Sequence, residues 1–266
     1  MADKIRVIVA GALGRMGRET VKAILQDEEL LLTAVVDTKA RGETVSDITG
    51  FKGLSMTIVN DIELAIEETQ PQVLVDFTNP QAVFNNVRCA LVRGVTCVVG
   101  TTGLNEMELS QLERLAQEKE VGVAVVPNFA IGAVLMMKFA QEAAQYFPDV
   151  EIIELHHDKK VDAPSGTAIK TAELINQTRS QRAPRNIREM EKIAGCRGGN
   201  LDEIRIHSVR LPGFVAHQEV IFGSLGQSLT IRHDSYDRVS FMPGVIMAIK
   251  RMVNKKGLIY GMEKLL

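Results

Sequence analysis

The chain of 266 residues is predicted to be an α/β protein, with a doubly wound parallel sheet followed by a second, α+β domain whose sheet is mixed or antiparallel. Two observations predict this. Up to about residue 127, short apolar runs alternate with amphipathic helical patterns, which is typical of parallel βαβ units. Between residues 204 and 233, strand-like segments follow one another without helices, which favours antiparallel pairing. We therefore expect one domain at 1–127, completed by 240–266, and another at 128–239.

The first strand, residues 5–10, runs directly into a glycine motif made of Gly11, Gly14 and Gly17, and a helix is predicted to about Gln26. The first spacing is one residue longer than in the common Gly-x-Gly-x-x-Gly pattern. Gly11 permits the tight turn, Gly14 lets the backbone approach a pyrophosphate, and Gly17 lets the helix pack on the strand. Because a helix N-terminus binds phosphate readily, the motif predicts a dinucleotide-binding domain of the Rossmann type.

An acidic residue stands where the ribose of such a cofactor would bind. The strand at 30–36 ends in Asp37, twenty positions after Gly17. Lys39 and Arg41 follow at once and could bind a ribose 2′-phosphate. The sequence therefore predicts NADH and NADPH as cofactors without choosing between them. Alternatively, Asp37 could be an ordinary turn residue, and Lys39 and Arg41 could be solvated surface cations. The order of the elements, in which a strand, a glycine turn and a helix precede the acidic residue, favours dinucleotide binding.

The alternation continues with predicted strands at 73–76, 96–99 and 121–126, the first two followed by helices to about residues 93 and 119. The loop after each parallel strand lies at the carboxyl edge of the sheet, where ligands bind. Small and polar residues on these loops suit ribose and nicotinamide: Thr78, Asn79, Gly100, Thr101, Thr102 and Asn128.

Composition restricts the possible partners and locations. The net charge is −2 and the pI is about 6.2, which gives no general signature of nucleic-acid or membrane binding. The chain enters a strand within four residues and has no apolar run of about 18 residues, so we expect a cytoplasmic protein. Cys89, Cys97 and Cys196 have no metal-ligand spacing, and no bound metal is expected.

The richest chemistry lies in residues 154–168, which read ELHHDKKVDAPSGTA. The apolar run at 150–155 predicts a strand, and a helix is predicted after the Pro-Ser-Gly turn, with Ser165 as its N-cap. The backbone N–H groups of Gly166 and Thr167 would lie in the first helical turn. Such a helix end binds carboxylate or phosphate groups.

Charged and titratable side chains precede that helix. Lys159 and Lys160 add positive charge, and His156 and His157 are the only adjacent histidines. Because histidine titrates near neutral pH, the segment predicts an anion site with a built-in acid. Taken alone, each feature more often has a structural role. A Ser-Gly-Thr start often only caps a helix, lysines on a loop are usually solvated, and a single histidine is usually packed against its neighbours. Adjacent strand residues point to opposite faces, so both histidines can share a site only if the strand ends there.

The remaining segments complete the second domain. A helix is predicted after Gly132. Residues 178–203 are polar and basic, and we expect a loop that could include a mobile flap. Strands are predicted at 204–210, 218–223 and 228–233, and a helix at 241–254 is expected to pack back on the first domain.

Residues 9–17, 100–103 and above all 154–168 resemble the 4-hydroxy-tetrahydrodipicolinate reductase (dihydrodipicolinate reductase) family, and the similarity extends over the whole chain. The resemblance implies that NADH or NADPH gives hydride to a cyclic imine dicarboxylate with loss of water, in lysine and diaminopimelate biosynthesis. It also implies a homotetramer built through the sheet of the second domain, which would bind the substrate and support oligomerisation.

The resemblance implies roles for individual residues. His156 would donate or accept a proton, and Lys160 would donate one. Substrate contacts would come from His157, Lys160, Gly166 and Thr167, and we add Ser165 from the helix start. To Lys39, which is predicted from its position after Asp37, the resemblance adds the following cofactor contacts: Gly11, Ala12, Leu13, Gly14, Arg15, Met16, Asp37, Gly100, Thr101, Thr102, Val126, Pro127, Asn128 and Phe129.

Two other functions compete with this prediction. Another two-domain dehydrogenase, acting on an amino or hydroxy acid, would share the first domain. A non-catalytic protein that senses dinucleotides would keep the glycine loop. It would not need two histidines, Lys160 and the Ser-Gly-Thr helix start together, and their joint presence favours the reductase.

Overall fold

The computed structural model describes residues 3–180 and 190–266 and divides the chain into two compact units. One consists of Met1–Phe129 and Phe241–Leu266, and the other of Ala130–Ser240. Asn128 and Phe129, which sequence analysis placed in the second domain, thus belong to the first unit. Part of the predicted flap, residues 181–189, lies outside the described residues.

The first unit contains a six-stranded sheet in which every pairing is parallel. Its strands lie in the order β11-β5-β4-β3-β1-β2. The strands are β1 (Ile5–Ala10), β2 (Leu30–Val36), β3 (Val73–Asp76), β4 (Thr96–Val99), β5 (Gly122–Val125) and β11 (Gly257–Tyr260). The order reverses at β1, which lies between β2 and β3. The carboxyl ends of strands at such a switch point form the crevice where open α/β sheets bind ligands.

Helices cover both faces of this sheet. The helices are α1 (Arg15–Gln26), α2 (Val45–Thr49), α3 (Ile62–Thr69), α4 (Val83–Val92), α5 (Glu106–Glu118) and α8 (Met242–Met252). Short 3-10 helices lie at Arg238–Phe241, of which only the last residue belongs to this unit, and at Met262–Lys264. Apolar residues of α3, α4 and α5 form one core with alternate residues of the strands. On the other face α8 packs against α1 and β4. Burial on both faces explains why these strands are nearly all apolar.

The second unit contains a five-stranded mixed sheet in the order β10-β9-β6-β8-β7. The strands are β6 (Asp149–His156), β7 (Gly199–Leu201), β8 (Ile204–Arg210), β9 (Ala216–Ser224) and β10 (Gln227–Ser235). Only β6 and β8 pair in parallel, and the other pairs are antiparallel. Two helices, α6 (Ile131–Ala143) and α7 (Gly166–Thr178), pack on each other and on this sheet. The predicted fold class is confirmed.

Four short elements depart from the sequence prediction. Helices α2 and α3 and strand β11 were not predicted, and β7 lies in a segment that was predicted to be loop. All four are short, from three to eight residues, so periodicity could not reveal them. Strand β11 extends the sheet at the edge of β5, where Gly257 pairs in parallel with Gly122 and Tyr260 with Val125.

Candidate active site

The glycine loop after β1 is held against the loop after β3. Gly11 has a φ of +83°, and a Cβ there would lie 2.3 Å from the carbonyl oxygen of Phe77. A Cβ on Gly17 would lie 2.1 Å from the Gly11 carbonyl oxygen. Only glycine fits either position without moving the backbone. The loop can therefore bring its N–H groups and the start of α1 close to a phosphate.

Asp37 fixes the shape of this loop. Its carboxylate accepts a hydrogen bond from the backbone N–H of Leu13 and another from that of Lys39, both at 2.9 Å. The side chains of Lys39 and Arg41 are exposed. Asp37, the predicted ribose-binding acid, thus contacts the glycine loop directly. Each carboxylate oxygen keeps a second lone pair with which it can accept a hydrogen bond from a ribose hydroxyl group.

A cleft of about 310 Å³ opens between these loops in the first unit. Its walls come from the ends of β1, β2 and β3 and the start of α4, and they include the following residues: Gly11, Leu13, Gly14, Asp37, Thr38, Lys39, Asn60, Phe77, Thr78, Asn79 and Asn86. The cleft lies at the switch point of the sheet. Its glycines, acid and polar loop residues fit the ribose and phosphates of a dinucleotide.

A buried carboxylate organises the loops on the other side of the switch point. Asp76, the last residue of β3, is fully buried. It accepts hydrogen bonds from the Thr78 and Thr101 hydroxyls at 2.7 and 2.6 Å, and from the Asn86 amide at 2.8 Å. Asp76 thereby fixes the loop after β3 and the predicted cofactor loop after β4. Sequence reasoning missed this residue, although an acid at the end of an apolar strand was a usable signal.

Aromatic packing connects the loops that carry predicted cofactor contacts. A Cβ on Gly100 would lie 2.1 Å from the Phe77 ring, so only glycine lets the loop after β4 approach that ring. The Phe77 and Phe129 rings lie 5.7 Å apart, tilted at 59°. Thr101, Val126 and Phe129 are buried, whereas Thr102 and Pro127 are exposed and Asn128 is half-buried.

The second unit brings His156 against a fully buried carboxylate, that of Glu154. The His156 Nδ1 atom lies 2.5 Å from Glu154 Oε2. Arg210, on β8, binds the same carboxylate through both terminal nitrogens, at 2.8 and 2.6 Å. Burial would raise the pKa of Glu154 above its ordinary value of 4.5. The hydrogen bonds from His156, Arg210 and Ser208 outweigh burial and lower this pKa to about 2.

The same carboxylate holds the start of α7. The backbone N–H of Ser165 donates to Glu154 Oε1 at 3.2 Å, and the Ser165 hydroxyl accepts from the Ala168 N–H at 3.2 Å. Ser165 is therefore the N-cap, as predicted, and it is buried. Gly166 and Thr167 occupy the first turn of α7, so that the positive end of this helix lies beside the catalytic candidate His156.

Strand β6 ends at His156, so the condition under which two adjacent histidines can share a site is met. His157 begins the following turn, and its carbonyl accepts from the Lys160 N–H at 3.2 Å. Within the described residues, the buried Nδ1 atom of His157 has no hydrogen-bond partner. A buried polar atom without a partner is costly, and a bound carboxylate would satisfy it.

The Lys160 ammonium group forms an ion pair with Asp162, at 2.7 Å from each carboxylate oxygen. The hydrogen bond from Lys160 lowers the pKa of Asp162. Arg210 donates to the Asp162 carbonyl at 2.8 Å, so the loop carrying Lys160 is tied to the Glu154 cluster. Lys159 is exposed.

Sequence reasoning assigned no role to Glu154, Arg210 or Asp162. Glu154 shares the buried face of β6 with Val150 and Ile152, and an acid on such a face was the one signal that could have revealed it. The contact with Arg210, 56 residues away, depends on strand pairing that the sequence does not specify. The first unit carries all predicted cofactor residues from Gly11 to Phe129, and the second carries the predicted substrate and catalytic residues.

Residues 3–180 and 190–266 contain neither a candidate metal site nor a candidate membrane span. In these ranges no group of three or more His, Cys, Asp or Glu side chains could hold a metal ion. None of the helices described there is both long and apolar enough to cross a membrane.

Comparison with known proteins places both units in one family. Residues 5–129 match the model of the dihydrodipicolinate reductase N-terminus, and residues 132–266 match that of its C-terminus. A 4-hydroxy-tetrahydrodipicolinate reductase from Syntrophomonas wolfei is 69% identical over 100% of both chains. One from Desulfitobacterium hafniense is 52% identical over 99% of each chain.

Solved structures agree with this result. A dihydrodipicolinate reductase from Paenisporosarcina sp. TG-14, with dipicolinate bound, has a TM-score of 0.88 and 46% identity. The match covers 99% of this chain and 100% of that one. An amine dehydrogenase from Mycobacterium smegmatis, at 14% identity and a TM-score of 0.69 over 97% of this chain and 95% of that one, shares the fold.

These matches favour the reductase over a dinucleotide-sensing protein, because named relatives of the same length are enzymes. The first unit is a pyridine-nucleotide-binding Rossmann domain. The chain therefore belongs to the dihydrodipicolinate reductase family, oxidoreductases that use NADH or NADPH for the reduction step of lysine and diaminopimelate biosynthesis.

Proposed function

We propose that this chain reduces 4-hydroxy-tetrahydrodipicolinate to tetrahydrodipicolinate with loss of water, and that His156 and Lys160 carry the proton chemistry. The observation that carries the proposal is the cluster around Glu154. It places an imidazole, a guanidinium group and a capped helix start together on one buried carboxylate. Such a set can bind a dianion and move a proton beside it.

The substrate is a dicarboxylate, and the second unit offers several anion contacts. The backbone N–H groups of Gly166 and Thr167 would together bind one carboxylate of the substrate. The Lys160 ammonium group would bind the other. His157 would contribute its buried Nδ1 atom. The Ser165 hydroxyl caps the helix, so its contribution to substrate binding is mainly to fix this turn. That a relative binds dipicolinate, also a ring with two carboxylates, supports this assignment.

Bound NADH or NADPH supplies hydride to one carbon of the conjugated imine. Loss of water removes the hydroxyl group together with one proton from the neighbouring ring carbon, which leaves the conjugated imine. The reduction then needs one proton at the carbon beside the one that receives hydride, so one proton is consumed overall. His156 would supply or accept a proton through Nε2, because Nδ1 faces Glu154. Lys160 would donate a proton and stabilise negative charge as it shifts, exchanging its contact with Asp162 for one with substrate.

The cofactor would bind in the cleft of the first unit. Glycine-loop residues Gly11 to Met16 would hold the pyrophosphate, and Asp37 would accept from the adenine ribose. The loops at Gly100–Thr102 and Val126–Phe129 would contact nicotinamide and its ribose. Lys39 and Arg41, both exposed beside Asp37, would bind a 2′-phosphate and so allow NADPH as well as NADH.

Assembly and location are part of the proposal. Helices α6 and α7 cover one face of the second unit's sheet. The other face carries the half-buried apolar residues Ile153, Leu155 and Ile221. A homotetramer built through this face would cover them, and sedimentation of the purified protein tests this. A cytoplasmic location agrees with a biosynthetic role and is tested by cell fractionation.

The reaction is tested with substrate made in place. Aspartate semialdehyde and pyruvate are condensed by their synthase, and loss of NADPH or NADH absorbance is followed after the purified protein is added. We expect oxidation that requires both the synthase and this protein. Cofactor binding without oxidation would overturn the proposed substrate and favour another acid.

A further inference from the structure

The carboxylate of Glu154 is surrounded by hydrogen-bond donors. Both terminal nitrogens of Arg210, the backbone N–H of Ser165 and the His156 ring lie within 3.2 Å of its oxygens. Its side chain is fully buried, so water does not compete for these positions. An ionised carboxylate can only accept hydrogen bonds. Each neighbouring group must therefore present a proton to it, and that includes the imidazole.

This requirement fixes where the His156 proton lies. If Glu154 only accepts, then His156 Nδ1 must carry the hydrogen at the 2.5 Å contact. The lowered pKa of Glu154, about 2, keeps the carboxylate ionised throughout the range in which the enzyme can be assayed. In the neutral ring Nε2 is then the basic atom, and in the charged ring Nε2 is the atom free to release a proton.

We propose that Glu154 is a positioning residue of the reaction: it fixes the orientation and tautomer of His156, so that proton exchange with substrate runs only through Nε2. Arg210 balances its buried charge. The inference rests on the proposed function of His156 and adds a residue to it. Glu154 touches neither substrate nor cofactor in this account and acts through the histidine.

The strand supplies a matched control. Glu151 lies three residues earlier on β6 and also binds one histidine and one arginine, His207 at 2.8 Å and Arg197 at 2.6 Å. It lies on the opposite face, and 37% of its side chain is exposed. A Glu151→Gln variant therefore removes the same kind of carboxylate from the same strand without touching His156.

A double-mutant cycle separates positioning from general stability. Glu154→Gln should lower kcat by about 10²-fold, with a smaller change in KM, because glutamine can still accept from the Ser165 N–H. In a His156→Gln background the same change should cost less than about threefold, because its effect runs through that ring. Glu151→Gln should leave kcat near the wild-type value.

Equal losses in both backgrounds would overturn the inference and leave Glu154 a structural residue. If His156→Gln itself kept full activity, the proposed function of His156 would fail instead, so the two failures are distinguishable.

A spectroscopic measurement on the wild-type enzyme avoids any folding defect. The chain has five histidines, so ¹⁵N-histidine spectra of the full-length protein can be assigned by single substitutions. We expect His156 to carry its proton on Nδ1 when neutral. A neutral His156 protonated on Nε2 would contradict the inference directly.

Discussion

The buried charge of Glu154 should make stability depend on pH in a defined way. Its pKa is about 2 in the folded chain against an ordinary value of 4.5. At about 1.36 kcal/mol for each pH unit, this difference corresponds to about 3 kcal/mol of folding free energy. Because the folded pKa is lowered, the contribution is fully present above pH 4.5 and is lost as the pH falls towards 2.

The perturbation is Glu154→Gln, which has a similar shape and cannot titrate. At pH 7 the variant should be less stable than the wild type by about 3 kcal/mol, and more if the Arg210 charge finds no other partner. Between pH 7 and pH 3 the wild type should lose about 2 kcal/mol of this advantage, because by pH 3 the unfolded carboxyl group has taken up its proton whereas the folded one is still mostly ionised. The gap between the two proteins should narrow accordingly.

The assay is urea unfolding followed by circular dichroism, at fixed protein concentration and at several pH values from 7 to 3. Glu151→Gln serves as the control, because water screens its partly exposed carboxylate and its pH dependence should be weaker. A gap between wild type and Glu154→Gln that stays constant with pH would refute the reasoning, even if the variant is destabilised.

Three further predictions concern the proposed site. Lys160→Ala should lower both kcat and substrate affinity by about 10-fold or more, because one cation serves both steps. An unchanged KM in steady-state kinetics would contradict this. Replacing Lys39 and Arg41 together by alanine should raise the KM for NADPH by about 10-fold and leave that for NADH nearly unchanged. Equal effects on both cofactors would exclude a 2′-phosphate contact. Asp76→Asn should weaken NADH binding in fluorescence titrations by several-fold, because the Thr101 loop loses a charged acceptor. If Asp76→Asn bound NADH with wild-type affinity, the Thr101 loop would not need the Asp76 carboxylate to bind the cofactor.

The Rossmann half of the fold was predictable because its strands are apolar on both faces and each is followed by a clear turn signal. Asp37 could be placed because its distance from Gly17 is set by one helix and one strand. Strand β11 could not be predicted because, unlike the equally short β3, β4 and β5, it is not fully buried, and it lies at the edge of the sheet against β5. The helix at Ile62–Thr69, although Asp61 caps it with two hydrogen bonds, was also too short to be recognised.

At the candidate site, the sequence indicated the residues that suit substrate but not those that hold them. His156, Lys160 and the Ser165 cap lie within one short segment, so their chemistry could be read locally. Arg210 and Asp76 act through contacts with residues that are distant in sequence or that lie on other loops. Such contacts follow from strand pairing and burial, which a single sequence specifies only weakly.

The central claim is that His156 performs proton chemistry while the first unit binds the cofactor by itself. The most direct measurement compares turnover and NADPH dissociation constants for wild type, His156→Gln and the control His207→Gln, whose ring also binds a carboxylate in the same sheet. We expect His156→Gln to lower turnover by about 10² to 10⁴-fold with nearly unchanged NADPH affinity, and His207→Gln to change neither. Wild-type turnover in His156→Gln would contradict the account.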